Sequence, residues 1–289
     1  FNISNTSSIT ASTLNVRILS FIVLLPSSVS ISINLVSLSF NQPVETVQSI
    51  TIGTLNLLES CRMLKKSPRV YYAGSSEAFG NTNGIKASEK TLFHPQSPYG
   101  VAKASAFWMV DNYRNAYNLF ACTGILFNHE SPLRGEEFVT RKIIIGLVKI
   151  INKDISFFEL GNLYAKRDWG YAKDYVEAMW KMLQINKPQD FVIATGKTYS
   201  VKDFINKCVK IFGLKTKWVG KGLNEKLIDL KNNKSIIIID KKFFRPTEVN
   251  ILRGDYSKAK KILKWKPKTG IDELARLMIE SDMKYSNKN

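Results

Sequence analysis

RVYYAGSSE at residues 69–77 decides the fold, because an apolar run of strand length changes there abruptly into polar side chains. Its β-branched and aromatic residues predict a buried strand over residues 69–73. A second apolar run, at residues 120–127, ends in the same way at Asn128. Parallel neighbouring strands bring such polar ends to one edge of a sheet, where α/β proteins bind their ligands. The sequence therefore predicts a functional site beyond the ends of these strands.

Helices alternate with these strands along the chain. The first predicted helix stops at Ser67-Pro68, and a second begins at the N-cap Ser97, with Pro98 at its first position. Further helices are predicted at residues 141–152, 175–183 and 200–212, with a short strand at residues 191–194. The alternation predicts an α/β fold with a doubly wound parallel sheet, a Rossmann-type domain. Beyond about residue 197, fewer strand signals and more basic helices predict a smaller second domain.

The bulk composition limits the partners and the compartment. A net charge of +18 would attract phosphate-bearing molecules, which include nucleotides, nucleic acids and anionic membranes. The lysines lack the arginine-and-aromatic pattern of a nucleic-acid surface, so we predict no nucleic-acid partner. Three widely spaced cysteines, Cys61, Cys122 and Cys208, indicate neither a disulfide framework nor a metal site. They favour a reducing compartment, and the cytoplasm is the predicted location.

One short segment resembles an export signal. Arg17 precedes an apolar run at residues 18–25, and Pro26 ends that run. A helix that spans a membrane needs at least about 18 apolar residues, so this run is too short for one. We therefore predict no membrane association, with an export signal as the alternative.

The strongest local signal is YGVAK at residues 99–103. Tyr99 and Lys103 are four residues apart on a predicted helix, which places both on one face. The ammonium of Lys103 is expected to lower the pKa of Tyr99 from the usual value of about 10, so that Tyr99 can act as a base. This spacing also arises by chance in helices, but the capped helix start and the preceding strand end at Ser75 favour the functional interpretation.

With these residues the chain resembles the extended short-chain dehydrogenase/reductase family, which pairs a Ser or Thr after such a strand with the Tyr and Lys. Within that family, it resembles the GDP-mannose 4,6-dehydratases over about residues 41 to 285. The matching runs are SPYGVAK (97–103), GILFNHESPLRG (124–135), FVTRK (138–142), GNLYAKRDWGYAKDY (161–175), FVIATG (191–196) and FRPTEV (244–249). So many long matches in order make coincidence negligible.

The resemblance implies a redox-neutral conversion of GDP-mannose to GDP-4-keto-6-deoxymannose with NADP as cofactor. Tyr99 would take the proton of the C4 hydroxyl while hydride passes to NADP, Ser75 would hydrogen-bond the C4 oxygen, and Lys103 would hold the nicotinamide ribose. Glu77 would remove the C5 proton and protonate the leaving C6 hydroxyl, after which the hydride returns to C6. The alternative for Glu77 is a loop acid that caps a nearby backbone group.

The resemblance also implies binding residues, a homo-oligomer (dimer or tetramer) and no metal. It places His129 and Arg134 at the cofactor. A guanidinium is planar and suits phosphate oxygens, so the matching arginines are expected at the GDP end, although they would otherwise indicate surface salt bridges. The expected substrate-binding residues are Asn128, Lys142, Arg167, Arg245 and Glu248.

The start of the chain departs from the family pattern. Family members open with a strand, a GxxGxxG turn and a helix that receive the cofactor pyrophosphate, whereas this chain has no glycine before Gly53. We expect an incomplete NADP-binding domain at residues 1–128, to which residues 168–195 return, and a substrate domain at 129–167 and 196–289. Residues 1 to about 33 would come from a truncated or frame-shifted gene start, with weaker cofactor binding.

Other functions stay open at this point. They are an inactive truncated copy, another nucleotide-sugar epimerase or reductase of the same family, and a basic nucleic-acid-binding protein. An epimerase needs no acid at the Glu77 position, so Glu77 favours elimination. The dehydratases that act on dTDP-glucose place an Asp-Glu pair there, and Ser76-Glu77 in this chain favours the GDP-mannose type.

Overall fold

The structure is a computed structural model that describes residues 36–286. The expectations about an export signal at residues 18–25 and about the origin of residues 1–33 lie outside the described residues. A π-helical turn, Gln48–Ile52, joins the helix Pro43–Val47 to the helix Gly53–Met63. None of the helices in the described part is long and apolar enough to cross a membrane.

Strands and helices alternate through the first half of the described chain. The strands are β1 (Val70–Ser75), β2 (Ala121–Leu126), β3 (Asn128–Glu130), β4 (Phe158–Leu160), β5 (Lys166–Arg167), β6 (Trp169–Tyr171), β7 (Phe191–Ile193), β8 (Tyr199–Ser200), β9 (Thr216–Val219), β10 (Lys226–Asp229), β11 (Lys234–Ile239) and β12 (Ile251–Leu252). The helices are α1 (Val36–Ser39), α2 (Pro43–Val47), α3 (Gly53–Met63), α4 (Pro98–Tyr117), α5 (Val139–Ile151), α6 (Ala172–Met182), α7 (Val201–Ile211), α8 (Ser257–Ile262) and α9 (Ile271–Ser286).

A parallel sheet with the strand order β1-β2-β7 positions the site. All six residues of β2 are buried, as expected for a strand covered by helices on both faces. In the register of the sheet, Ser75 lies opposite Leu126, and Leu126 lies opposite Ile193. The carboxyl ends of the three strands therefore meet at one edge. The parallel sheet and its flanking helices confirm the predicted α/β fold class.

Helix α4 begins where its local sequence predicts. The Ser97 hydroxyl accepts a hydrogen bond from the Gly100 N–H at 3.0 Å, and Pro98 occupies the first turn. At its other end Asn118 adopts a left-handed conformation with φ of 53°. A Cβ at Gly100 would lie 2.8 Å from the Glu77 carbonyl oxygen. This glycine therefore lets the start of α4 pack directly against the turn that follows β1.

The second half of the chain contains more strands than the sequence indicated. Residues 216–239 form β9, β10 and β11, which pair antiparallel, and β11 also pairs parallel with β4. The prediction of few strands beyond residue 197 was wrong because these strands are short and form by pairing with one another and with β4. Leu227 and Ile237 lie opposite each other in the sheet and pack with α5, α7 and α9 in a core of their own.

Asp168 ties the two halves together beside the sheet edge. Its side chain is fully buried and accepts hydrogen bonds from the backbone N–H groups of Thr195, Gly196 and Gly254, at 2.8, 2.8 and 3.2 Å. Burial raises the pKa of this carboxyl, and the hydrogen bonds oppose that change. Because Asp168 binds two separate loops, at residues 195–196 and at Gly254, it fixes the position of its neighbour Arg167.

Candidate active site

A groove of about 1120 Å³ opens at the carboxyl ends of β1 and β2. Pockets for one small ligand commonly measure about 300–1,000 Å³, so this groove has room for a large ligand or for two that meet. All of the site residues predicted from the sequence line it, namely Ser75, Glu77, Tyr99, Lys103, Asn128, His129, Arg134, Lys142, Arg167, Arg245 and Glu248.

The turn after β1 presents a hydroxyl and a carboxylate to the groove. Ser75 is the last residue of β1, and its hydroxyl accepts a hydrogen bond from the Glu77 N–H at 3.3 Å. This bond starts a short 3₁₀ turn, Ser76–Ala78, which carries Glu77. The Glu77 side chain is only 12% exposed, and its carboxylate lies 4.0 Å from the Arg245 guanidinium.

Tyr99 lies in the first turn of α4, beside Ser75. Burial and the charge of Glu77 raise the pKa of Tyr99 to about 12, while the Ser75 hydroxyl and the charge of Arg134 act to lower it. The expectation that Lys103 lowers the pKa of Tyr99 below its usual value was wrong. The Lys103 ammonium lies 5.6 Å from the centre of the Tyr99 ring and donates a hydrogen bond to the Ala73 carbonyl oxygen at 3.0 Å. Burial of Tyr99 is the largest influence on its pKa and decides the direction of the change.

Burial also changes the pKa of Lys103, and this change should make the stability of the protein depend on pH. Burial lowers the pKa of Lys103 to about 8 from the ordinary value of 10.5, so between these values the unfolded chain binds more protons than the folded chain. Stability therefore rises with pH in this window, by roughly 3 kcal/mol in total at about 1.4 kcal/mol per pH unit.

We expect the unfolding free energy of the chain, relative to that of Lys103→Met, to increase as the pH rises through this window. Urea unfolding of both proteins over the same series of buffers measures this difference. The comparison with methionine, which never ionises, removes the contribution of all other titrating groups. A difference that does not change with pH would show that the Lys103 ammonium is hydrated rather than buried.

His129 offers a neutral imidazole to the groove. Its Nδ1 lies 2.9 Å from the Phe127 carbonyl oxygen, and its ring stacks on that of Tyr175 with 5.2 Å between the ring centres. Burial lowers the pKa of His129. A carbonyl oxygen can only accept a hydrogen bond, so Nδ1 carries the proton and Nε2 is left as an acceptor.

Arg134 is held by residues that the sequence analysis did not single out. Its Nε lies 3.4 Å from a carboxylate oxygen of Glu130, and its guanidinium lies over the Phe138 ring, 3.4 Å from the ring centre. Glu130 is 2% exposed and accepts a hydrogen bond from the Thr140 hydroxyl at 2.5 Å. Only the GILFNHESPLRG and FVTRK runs, read together, could have indicated this arrangement.

The charged residues among the predicted substrate-binding residues lie at three places in the groove. Arg167 is buried, with its guanidinium 2.8 Å from the Glu248 carboxylate and 2.6 Å from the Val249 carbonyl oxygen. Arg245 lies apart from this pair, next to Glu77. The Lys142 ammonium lies 3.4 Å from the centre of the Phe243 ring, and burial lowers the pKa of this lysine.

The segment around α1 also lines the groove. Val36, Ser37, Phe40 and Asn41 all contribute to its wall, at the end where β1 and Tyr99 lie. No motif in these residues points to chemistry, and the sequence analysis assigned them no role. Their position follows from tertiary packing, because α1 contacts α4.

Comparisons with known proteins identify the family. A model of the family described as GDP-mannose 4,6 dehydratase matches residues 32–278. The Drosophila melanogaster GDP-mannose 4,6 dehydratase is 47% identical over 258 residues, 88% of this chain and 65% of that protein. The Homo sapiens protein of the same name is 48% identical over 256 residues, 88% of this chain and 69% of that protein. The chain thus spans about two thirds of the length of these relatives.

Solved structures support the fold. RMD from Pseudomonas aeruginosa in complex with NADPH gives a TM-score of 0.71 at 20% identity and covers 86% of this chain and 77% of that chain. MoeE5 in complex with UDP-glucose and NAD gives a TM-score of 0.73 at 20% identity, over 88% of this chain and 77% of that chain. Both share the Rossmann-type fold. From the family match and these relatives, the chain belongs to the GDP-mannose 4,6-dehydratase family, a family of hydro-lyases.

Proposed function

We propose that this chain acts on GDP-mannose as a 4,6-dehydratase and forms GDP-4-keto-6-deoxymannose. The observation that carries the proposal is the Glu77 carboxylate, which lines the same groove as the Ser75 and Tyr99 hydroxyls. Oxidation at C4 needs NADP as the hydride acceptor and, from the chain, only the two hydroxyls. Removal of water across C5 and C6 also needs a group that takes one proton and delivers another, and Glu77 is the carboxylate in the right position.

The roles follow from the positions of the side chains. Tyr99 takes the proton of the C4 hydroxyl, and Ser75, next to it, donates a hydrogen bond to the C4 oxygen. The resulting ketone makes the C5 proton acidic, and Glu77 removes it. Glu77 then delivers a proton to the C6 oxygen, which leaves as water. When hydride has returned to C6, C5 takes up one proton, equal in number to the proton that Tyr99 removed from the C4 hydroxyl, so the net change is the loss of one water.

The residues at the β1 end of the groove fit the nicotinamide end of NADP. Lys103 can reach ribose hydroxyls, the His129 Nε2 can accept a hydrogen bond, and the Arg134 Nε is a buried donor that has no hydrogen-bond partner among residues 36–286. When bound, NADP would accept hydride from C4 and return it to C6. We propose that residues 1–128 and 168–195 form the cofactor side, and residues 129–167 and 196–289 the substrate side.

The GDP moiety would bind beside the arginines that line the groove. Arg167 and Arg245 supply positive charge for the diphosphate, and Asn128 supplies an amide. Glu248 orients Arg167, and Lys142 with Phe243 forms a flat cationic surface against which a base can stack.

The experiment is to incubate the purified chain with GDP-mannose and NADP and to analyse the nucleotide sugar by mass spectrometry. We expect a product that is lighter than GDP-mannose by one water. The same incubation without NADP distinguishes catalysis that depends on added cofactor from catalysis by cofactor that is purified with the chain. Tight binding of GDP-mannose without any product would instead identify an inactive member of the family.

We also propose a cytoplasmic homo-oligomer. The outer face of α4 exposes Val101 and Trp108 to 47% and 60%, which a second copy could cover. Sedimentation of the chain and of Trp108→Glu tests this surface, and a monomer in both cases would contradict it.

A further inference from the structure

The loop between β4 and β5, residues 161–165, supports the part of the groove proposed for the base. A Cβ at Gly161 would lie only 2.6 Å from the Phe243 carbonyl oxygen, so the two backbones are in direct contact. The Phe243 ring in turn contacts the Lys142 ammonium. Asn162 lines the groove as well. A displacement of this loop would therefore change the surface on which the base is proposed to stack.

Tyr164 connects the loop to a carboxylate outside the groove. Its neighbour Ala165 lines the groove, whereas Tyr164 itself is 58% exposed and does not. The Tyr164 hydroxyl donates a hydrogen bond to the Glu225 carboxylate at 2.7 Å. Glu225 lies directly before β10 and is only 3% exposed. The hydroxyl therefore fixes the loop to a buried charge on a different element.

The other oxygen of Glu225 is bound by Lys202, the second residue of α7. The Lys202 ammonium lies 2.5 Å from the carboxylate and 4.8 Å from the centre of the Trp218 ring. Burying a carboxylate is costly unless its charge is paired and its oxygens accept hydrogen bonds, and here each oxygen has a donor. Loss of either donor would leave part of this charge without a partner. Tyr164, Glu225 and Lys202 thus form one latch.

The latch acts at the same place as the backbone of α7. The first N–H groups of a helix have no partner within it, and here two of them bind the loop. The Val201 N–H donates to the Ala165 carbonyl oxygen at 3.3 Å. The Lys202 N–H donates to the Leu163 carbonyl oxygen at 3.0 Å. Lys202 therefore holds the loop through its backbone and, by way of Glu225, through its side chain.

We propose that Glu225 is a positioning residue for the nucleotide, which holds the loop 161–165 through Tyr164 and Lys202 in the shape that fits the base. The proposal rests on the proposed function only in taking the groove beside Lys142 as the nucleotide site. Glu225 does not line the groove and acts through the loop. The affinity for the nucleotide should therefore depend on the latch, whereas the rate of the chemical steps should not.

The test is the equilibrium affinity for GDP, measured by calorimetry on the unaltered chain and on latch variants. Glu225→Gln keeps the size of the side chain but removes its charge, and it should weaken GDP binding by about five- to tenfold, the lower end of couplings between separate sites. Tyr164→Phe should weaken it by roughly two- to fivefold, because only one hydrogen bond to the carboxylate is lost. The double variant should lose less than the product of the two factors, because both changes act on the same hydrogen bond. Tyr164→Phe changes an exposed position and keeps the test decisive should Glu225→Gln fail to fold.

Matched controls separate the latch from a general loss of a charge or of a hydroxyl. Glu177→Gln removes a carboxylate on α6 that also pairs with two lysines, and Tyr117→Phe removes the hydroxyl of an exposed tyrosine on α4. Neither residue lines the groove, so neither change should alter the affinity for GDP. Hydrogen exchange is a second measurement and needs no ligand. The backbone amide of Lys202, which binds the loop, should exchange faster in Glu225→Gln than in Glu177→Gln.

GDP binding does not depend on turnover, so its outcome is separate from that of the proposed function. If the chain makes product, Glu225→Gln should raise KM for GDP-mannose by the same factor as the GDP dissociation constant and leave kcat within about twofold, a split that a general loss of stability would not give. GDP affinities of Glu225→Gln and Tyr164→Phe equal to that of the unaltered chain would overturn the proposal, whether or not the chain is active. An equal loss in Glu177→Gln would overturn it too. The expected losses in a chain that binds GDP but forms no product would support the latch and contradict the proposed function alone.

Discussion

Tyr99→Phe is expected to reduce turnover of GDP-mannose by about 10²–10⁴-fold, the usual contribution of a positioned general base. The phenol is the group in the groove that can take the C4 hydroxyl proton as that carbon is oxidised. Its ring is otherwise retained, so the shape of the groove does not change. The dissociation constant of GDP-mannose should therefore stay within about threefold of the wild-type value, because the arginines that would bind the diphosphate are unchanged.

Single-turnover kinetics and calorimetry measure the two quantities separately. Tyr71→Phe is the matched control, because Tyr71 lies in β1 with a buried hydroxyl that has no hydrogen-bond partner. Its loss should leave turnover unchanged. Equal turnover by Tyr99→Phe and by the unaltered chain would show that Tyr99 is not the base.

The sequence predicts those features of this molecule that depend on neighbouring residues. The N-cap at Ser97, the proline after it and the four-residue spacing to Lys103 all act within two turns of helix, and α4 begins as predicted. Strands β1 and β2 were predicted for a similar reason, because each contains an apolar run, and all six residues of β2 are buried. Their polar ends then place Ser75 and Asn128 at one edge.

Features that depend on distant residues could not be predicted in the same way. The pKa of Tyr99 reflects burial by the assembled groove and the charge of Arg134, which is 35 positions away in the sequence. Spacing on one helix says nothing about either effect. The strands β9, β10 and β11 were missed because each is short and stable only against its neighbours.

Glu77→Gln is expected to separate the two halves of the reaction. Glutamine keeps the size of the side chain but cannot accept the C5 proton, so formation of the dehydrated product should fall by about 10²–10⁴-fold. The oxidation at C4 should remain. The charge of Glu77 raises the pKa of Tyr99, so its removal makes Tyr99 a base at lower pH. Reduced NADP should therefore build up when the variant meets GDP-mannose, and its absorbance is the measurement.

This outcome distinguishes an acid–base role from a structural one. If Glu77 only capped the turn after β1, glutamine would fill the same role without loss of activity. The turn is held by the hydrogen bond from the backbone N–H of residue 77 to the Ser75 hydroxyl, which the substitution keeps. Glu136→Gln is the matched control, because Glu136 also lines the groove and has no assigned role. Accumulation of reduced cofactor in Glu77→Gln but not in Glu136→Gln assigns the C5 proton to Glu77. Product formed by Glu77→Gln at the unaltered rate would mean that another group takes that proton.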